Sequence, residues 1–142
     1  MQKRPQITDE MIRQVTDEIA KEYEIGDPGI LPSHYRYPMD GMALAIELAK
    51  WEGWDYGCEL DREFIDELDS IDSRVDRLHS AAVKQWFEEN DIQPPLPVGT
   101  KVKQGIIDGI DEYGIARYKV KRPEDEGKQR WLLVNFEDAE AA

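Results

Sequence analysis

The chain has 142 residues, 40% hydrophobic and 35% charged, with 31 acidic against 18 basic side chains and a net charge of −13. That length suits one domain, or a domain with a small appendage, and four Trp among patterned apolar positions exclude a disordered chain. The acid excess repels nucleic-acid backbone and anionic membrane at long range and steers the protein toward basic surfaces.

Residues 1 to 6 read as a tail, MQKRPQ, with no apolar segment of the kind a leader or anchor needs. Thr8 then supplies an N-cap, and Asp9 and Glu10 sit where a helix dipole favours negative charge. Met11, Ile12, Val15, Ile19 and Tyr23 recur at helical spacing, which predicts a helix from about Asp9 to Glu24. Gly26, Asp27, Pro28 and Gly29 stop it.

The stretch Ile30 to Gly41 is read as a loop, because Pro32 and Pro38 bracket His34, Tyr35, Arg36 and Tyr37. Tyr and Arg are common interface anchors, so Tyr35, Arg36 and Tyr37 are candidate partner-binding residues; the alternative is that they plug the body of the protein. Met42 to Trp54 predicts a strongly apolar helix, capped by Asp40, broken by Gly53 and lying deep.

Cys58 to Asn90 holds the longest periodicity. Leu60, Phe64, Leu68, Ile71, Val75, Leu78, Ala82 and Trp86 make one helical stripe. A continuous helix of about 30 residues would span roughly 45 Å, so either a bend near Ser70 to Ser73 or packing of a projecting end on a second subunit is expected. The same segment carries nine acids from Asp55 to Asp76 against Arg62 and Arg74. Glu59, Glu63, Asp66, Asp69, Asp72 and Asp76 place carboxylates at every turn or so, a face that would fit a basic groove or simply keep the helix soluble.

Beyond Asp91 the composition changes. Pro94, Pro95 and Pro97 form a stiff connector, followed by β-branched residues in alternation. Three antiparallel strands are predicted at about Thr100 to Ile110, Ile115 to Arg122 and Arg130 to Glu137, the last apolar on both faces and so covered on both sides. The expected fold class is α+β: a body of three or four helices over residues 1–91, a connector at 92–99, and a β-meander at 100–142 packed on the helices. Residues 1–90 carry 21 acids against 10 bases, and residues 91–142 carry 10 against 8.

Chemistry-bearing motifs are sparse. His34 and His79 are the only histidines, with Ser33 and Ser80 as sequence neighbours that point away from them, and Cys58 is the only cysteine. A lone cysteine excludes an intramolecular disulfide and makes the cytosol the expected compartment. No zinc, calcium or nucleophile motif is present, so neither enzyme activity, cofactor nor metal is expected. Lys101, Lys103, Arg117, Lys119, Lys121, Arg122 and Arg130 form a basic stripe near Tyr118 and Trp131. It is read first as a cover for the chain's own acidic helices or as a guard on a sheet edge, ahead of nucleic-acid binding.

The opening ITDEMIRQVTDEIA, Ile7 to Ala20, and the acid block Glu59 to Asp76 resemble, in style only, the small acidic accessory proteins of phages and prophages, including inhibitors of restriction and CRISPR systems. Pro97 to Arg122 resembles the first strands of an SH3-like or Tudor-like small barrel. The first resemblance implies function by binding: an acidic surface occupies the nucleic-acid-binding site of a host protein, without direct contact to nucleic acid or membrane. The alternative is an assembly protein that homodimerises through the long helix, with Leu68 and Val75 on the seam.

Overall fold

The structure is a computed structural model that describes residues 3–142, and the chain falls into two compact units. The helical unit is Pro5–Ala82; the second unit is Val83–Ala142 with Lys3 and Arg4. The division lies inside a helix, because Val83 and Trp86 near the end of that helix belong to the second hydrophobic core.

In the helical unit α1 spans Asp9–Glu22, and the Thr8 hydroxyl accepts from the Met11 amide as the capping pattern predicts. Ile30–His34, expected to be loop, forms a single helical turn, α2, before the chain runs extended through Tyr35. The Tyr37–Pro38 peptide is cis. Helix α3 spans Gly41–Glu52, starts under the Asp40 carboxylate and stops at Gly53 in the left-handed conformation. It is less deep than its composition suggests. Leu44, Ala45 and Leu48 are buried, whereas Met42, Ile46 and Trp51 are at least half exposed.

The long periodic segment is two helices, α4 (Arg62–Asp69) and α5 (Ile71–Glu89). Its start is set by Asp61, whose side chain accepts from the Phe64 amide. At Ser70 the backbone amide bonds to Glu67 O, three residues back, and the Ser70 hydroxyl bonds the same carbonyl at 2.6 Å. This local competition tightens the turn and produces the break expected near Ser70. Leu60, Phe64, Leu68, Ile71 and Val75 then join Val15, Ile19, Leu31, Tyr35, Leu44 and Leu48 in one core. Leu68 and Val75 are 0% exposed in a single chain, so the seam proposed for a dimer is internal core.

The second unit holds a four-stranded antiparallel meander, ordered β1 (Lys101–Val102), β2 (Gly105–Ile110), β3 (Arg117–Lys121) and β4 (Leu132–Asn135). Three strands were expected. The first divides because the chain turns at Lys103 and Gln104 and brings Gly105 opposite Val102. Gly105 lies so close to β3 that a Cβ there would collide with the Lys121 carbonyl. The sheet is open rather than a closed barrel; after a short turn at Phe136–Asp138, Ala141 bridges to Val102 and covers the β1 edge.

Val102, Ile107, Tyr118, Val120 and Val134 face a core completed by Val83 and Trp86 from the end of α5 and by Ile92. Strand β4 has one covered face only: Val134 is buried and Leu133 is 45% exposed. The connector is docked on this unit, since the Tyr118 hydroxyl accepts from the Leu96 amide at 2.8 Å and donates to its carbonyl at 2.9 Å. Among the described residues no helix is long and apolar enough to cross a membrane.

Candidate functional site

The two stretches singled out for partner binding, the aromatic loop and the acid block, meet in the helical unit. Asp69, Asp72 and Asp76 are spaced three and four apart across the α4–α5 junction, so they share one face. That face looks at the loop. The Gly41 amide donates to Asp69 Oδ1 at 2.9 Å, and the Met39 amide lies 3.1 Å from both Asp72 oxygens. The Tyr35 hydroxyl donates to Asp72 Oδ1 and the Tyr37 hydroxyl to Asp76 Oδ1. Burial raises the Tyr35 hydroxyl far above its ordinary pKa, and the bond to Asp72 adds to the shift. For Tyr37 the bond to Asp76 is the larger cause of a rise in the same direction.

These contacts give three of the six acids read as one face a role inside the helical unit. Asp72 is half-buried and spent on the loop, Tyr35 is the plug of the alternative reading at 2% exposure, and Asp69 and Asp76 are tied to the same loop. Arg36 and Tyr37 remain outward. Of the acids read as one face, Glu59, Glu63 and Asp66 are exposed and unattached to the loop, whereas Asp69 and Asp76 are exposed but bonded to it. Glu59 accepts from the Asp55 amide at 2.9 Å, and bonds to backbone hold its carboxyl below the usual range. Glu63 and Asp66 make no hydrogen bond or ion pair among the described residues.

Helix α1 extends this acidic surface, a contribution that the sequence reading did not assign. Arg74 bridges Glu18 of α1 at 2.6 Å and Glu67 of α4 at 2.9 Å, which joins the two helices. The Tyr23 hydroxyl is raised chiefly by burial and then by Glu67, Glu63, Glu22 and Asp61, in that order, so acids from both helices converge on it. Residues Pro5–Ala82 carry 19 acidic against 7 basic side chains, a net −12; the rest of the chain carries 12 against 11, a net −1. The signal in the sequence was the i, i+4 pair Glu18 and Glu22, but only the fold shows which neighbours they join.

A cleft of about 720 Å3 lies between α1 and the loop, with Ile12 and Pro32 as apolar wall and Arg13, Ser33, Arg36 and Tyr37 as polar groups. Arg36 donates to the Ser33 and Tyr35 carbonyls at 3.2 and 2.9 Å. A second hollow of about 490 Å3 is lined by Tyr23, Trp54 and Phe64, with the exposed Cys58 at its side. His34 sits 3.4 Å from Glu52, Ser33 donates to the Ile30 carbonyl, and His79 is bonded to the Pro5 carbonyl.

The basic stripe of the second unit is partly neutralised within that unit. Arg117 pairs with the buried Asp111 at 2.6 Å, Arg122 and Arg130 with the buried Asp125 at 2.6 and 3.3 Å, and Lys103 with Glu140. Comparison with protein-family models, with curated proteins and with solved structures gives no match, so the geometry of this chain alone carries the functional reading.

Proposed function

We propose that this chain is a non-catalytic binding protein, an inhibitor or regulator of the phage anti-defence type, that sets the acidic surface of its helical unit against a basic, nucleic-acid-binding site of a partner protein. One observation carries the reading: a net −12 on 78 residues, with Glu59, Glu63 and Asp66 outward and with Glu63 and Glu67 of α4 and Glu22 of α1 converging on Tyr23. A charge of that density raises association rates with a basic groove and lowers them with any polyanion. Arg36 and Tyr37, at the rim of the larger cleft, are the contacts that give such an encounter orientation.

The test uses exposed acids of which, among the described residues, only Glu59 has a bond, from the Asp55 amide, that a Gln carbonyl can still accept. In a pull-down from bacterial lysate, the wild-type chain retains nucleic-acid-handling proteins that elute as salt rises, because exposed charge pairs are screened within about 10 Å at 0.1 M. A Glu59→Gln, Glu63→Gln, Asp66→Asn variant, folded by circular dichroism, loses them. Retention of the same proteins by that variant would sink the acidic-surface reading. The assembly alternative has less support, since the stripe it would use is already core.

A further inference from the structure

We propose that the outward face of the β-sheet is a binding platform for single-stranded nucleic acid, with Trp131 as the stacking surface. The strand register builds this face. Lys101 pairs with Ile106, which pairs with Lys121; in the next row Gly109 pairs with Lys119, which pairs with Leu133. The alternating residues Val102, Ile107 and Val120 are buried, so these rows point away from the core. Ile106 is 52% exposed and Leu133 45%.

Trp131 lies across this surface. Its ring centroid is 4.4 Å from Lys119 Nζ and 4.5 Å from Lys121 Nζ on β3, and its Nε1 donates to Asp108 Oδ2 on β2 at 2.7 Å. An indole that starts beside β4, covers two lysines of β3 and is pinned on β2 lies along the sheet, with one edge fixed by Asp108. Such pre-ordering lowers the entropy cost of stacking a base on its outer side.

Charge complementarity selects the occupant. Lys101, Lys119 and Lys121 have no carboxylate partner among the described residues, although the chain carries 31 acids. Among the described residues Asp108 is the one acid bonded to this cluster, through the indole. A basic, aromatic patch in an acidic chain fits a polyanion with accessible π-faces, which a single strand offers and a duplex hides. A purely acidic peptide would use the lysines and leave the indole without a role. The platform belongs to the second unit, whose net charge is −1, and it stands apart from the reading of the helical unit, so either can fail alone.

The experiment is fluorescence anisotropy of the full-length chain with a labelled thymidine oligonucleotide of about 20 nucleotides, starting near 50 mM salt. Binding is expected, with a log–log salt slope of about −2 if three lysines displace counterions. Trp131→Ala weakens it at least about five-fold, the low end for loss of one stacked base, and Trp131→Phe restores most of it. Lys101→Gln, at an exposed side chain, shallows the slope by about 0.7 and needs no change in the core. Glu63→Gln with Asp66→Asn leaves the platform intact and oligonucleotide binding no weaker. The proposal is overturned if the wild-type chain does not bind the oligonucleotide, if Trp131→Ala and Lys101→Gln leave binding and slope unchanged, or if a poly-glutamate peptide binds with the same dependence on Trp131.

Discussion

Replacement of Asp72 by Ala tests the link between the acid block and the aromatic loop. The carboxylate accepts from the Met39 amide and from the hydroxyl of Tyr35, whose side chain is 2% exposed. Each hydrogen bond to a charged group contributes about 1.5–3 kcal/mol, and a buried hydroxyl left without an acceptor costs about 1–3 kcal/mol. Water reaches the half-buried Asp72 side, so the terms do not sum in full, and a loss of about 3 kcal/mol is expected. Against a total stability of about 5–15 kcal/mol this is a large fraction. Tyr35→Phe alone costs less, about 1–2 kcal/mol, because the Met39 bond survives. The assay is urea unfolding of the two single variants and the double variant, with amide exchange at Met39 read by NMR. Coupling of about 1.5 kcal/mol or more between the two positions is expected, together with loss of Met39 protection in Asp72→Ala. A shift below about 0.5 kcal/mol, the additivity limit, with the Met39 amide still protected, would refute the strut.

Other outcomes follow from the same contacts. Gly41→Ala places a Cβ 2.6 Å from the Asp69 amide and 2.9 Å from its Cα, so α3 must move off α4; thermal unfolding should report a loss of about 2 kcal/mol or more, and an unchanged midpoint would contradict the close approach. Leu68→Glu or Val75→Glu should unfold the helical unit rather than split a dimer; light scattering that shows a folded monomer replacing a dimer would reverse that conclusion. The raised Tyr35 hydroxyl stays protonated in the folded chain while the unfolded chain ionises above pH about 10, so stability is complete below that pH and falls above it by about 1.4 kcal/mol per pH unit; Tyr35→Phe should flatten the alkaline limb of a stability–pH curve. At the acid end, the hydrogen bond from Arg122 holds the Asp125 carboxyl below its usual range. That contribution is present above the ordinary carboxylate pKa and lost as pH falls through the lowered value, and Asp125→Asn should remove this part of the acid limb.

The elements were legible in the sequence wherever local chemistry decides them. Thr8, Asp40 and Asp61 cap helices because a side-chain oxygen three residues ahead of an amide satisfies it in any context. The stripe from Leu60 to Val75 identified a buried face because a period near 3.6 has one physical cause. The single-turn α2 was missed because Pro32 reads as a breaker, yet at the third position of a helix its absent amide costs no intrahelical bond. The split of the first strand was missed because Lys103 and Gln104 lack the usual turn residues, and Gly105, tight against β3, carries the constraint instead.

For the candidate site the division is sharper. Composition determined by itself that the first part of the chain is strongly acidic, and residue type marked Tyr35, Arg36 and Tyr37 as unusual for a loop. Which acids bond to the loop was decided only by tertiary structure: Asp69, Asp72 and Asp76 sit within reach of loop amides and hydroxyls that need acceptors, and Asp72 is half-buried there while the other two stay exposed. Glu63 and Asp66 have the same chemistry and no such partner among the described residues, and Glu59 bonds only to the nearby Asp55 amide. The platform around Trp131 is likewise tertiary, because it takes residues from β2, β3 and β4 and the residue just before β4, which only strand register brings side by side. Caps and periodicity act within a few residues and are written in sequence order, whereas hydrogen-bond satisfaction across 28 to 39 residues depends on which backbone and side-chain donors the fold leaves unpaired.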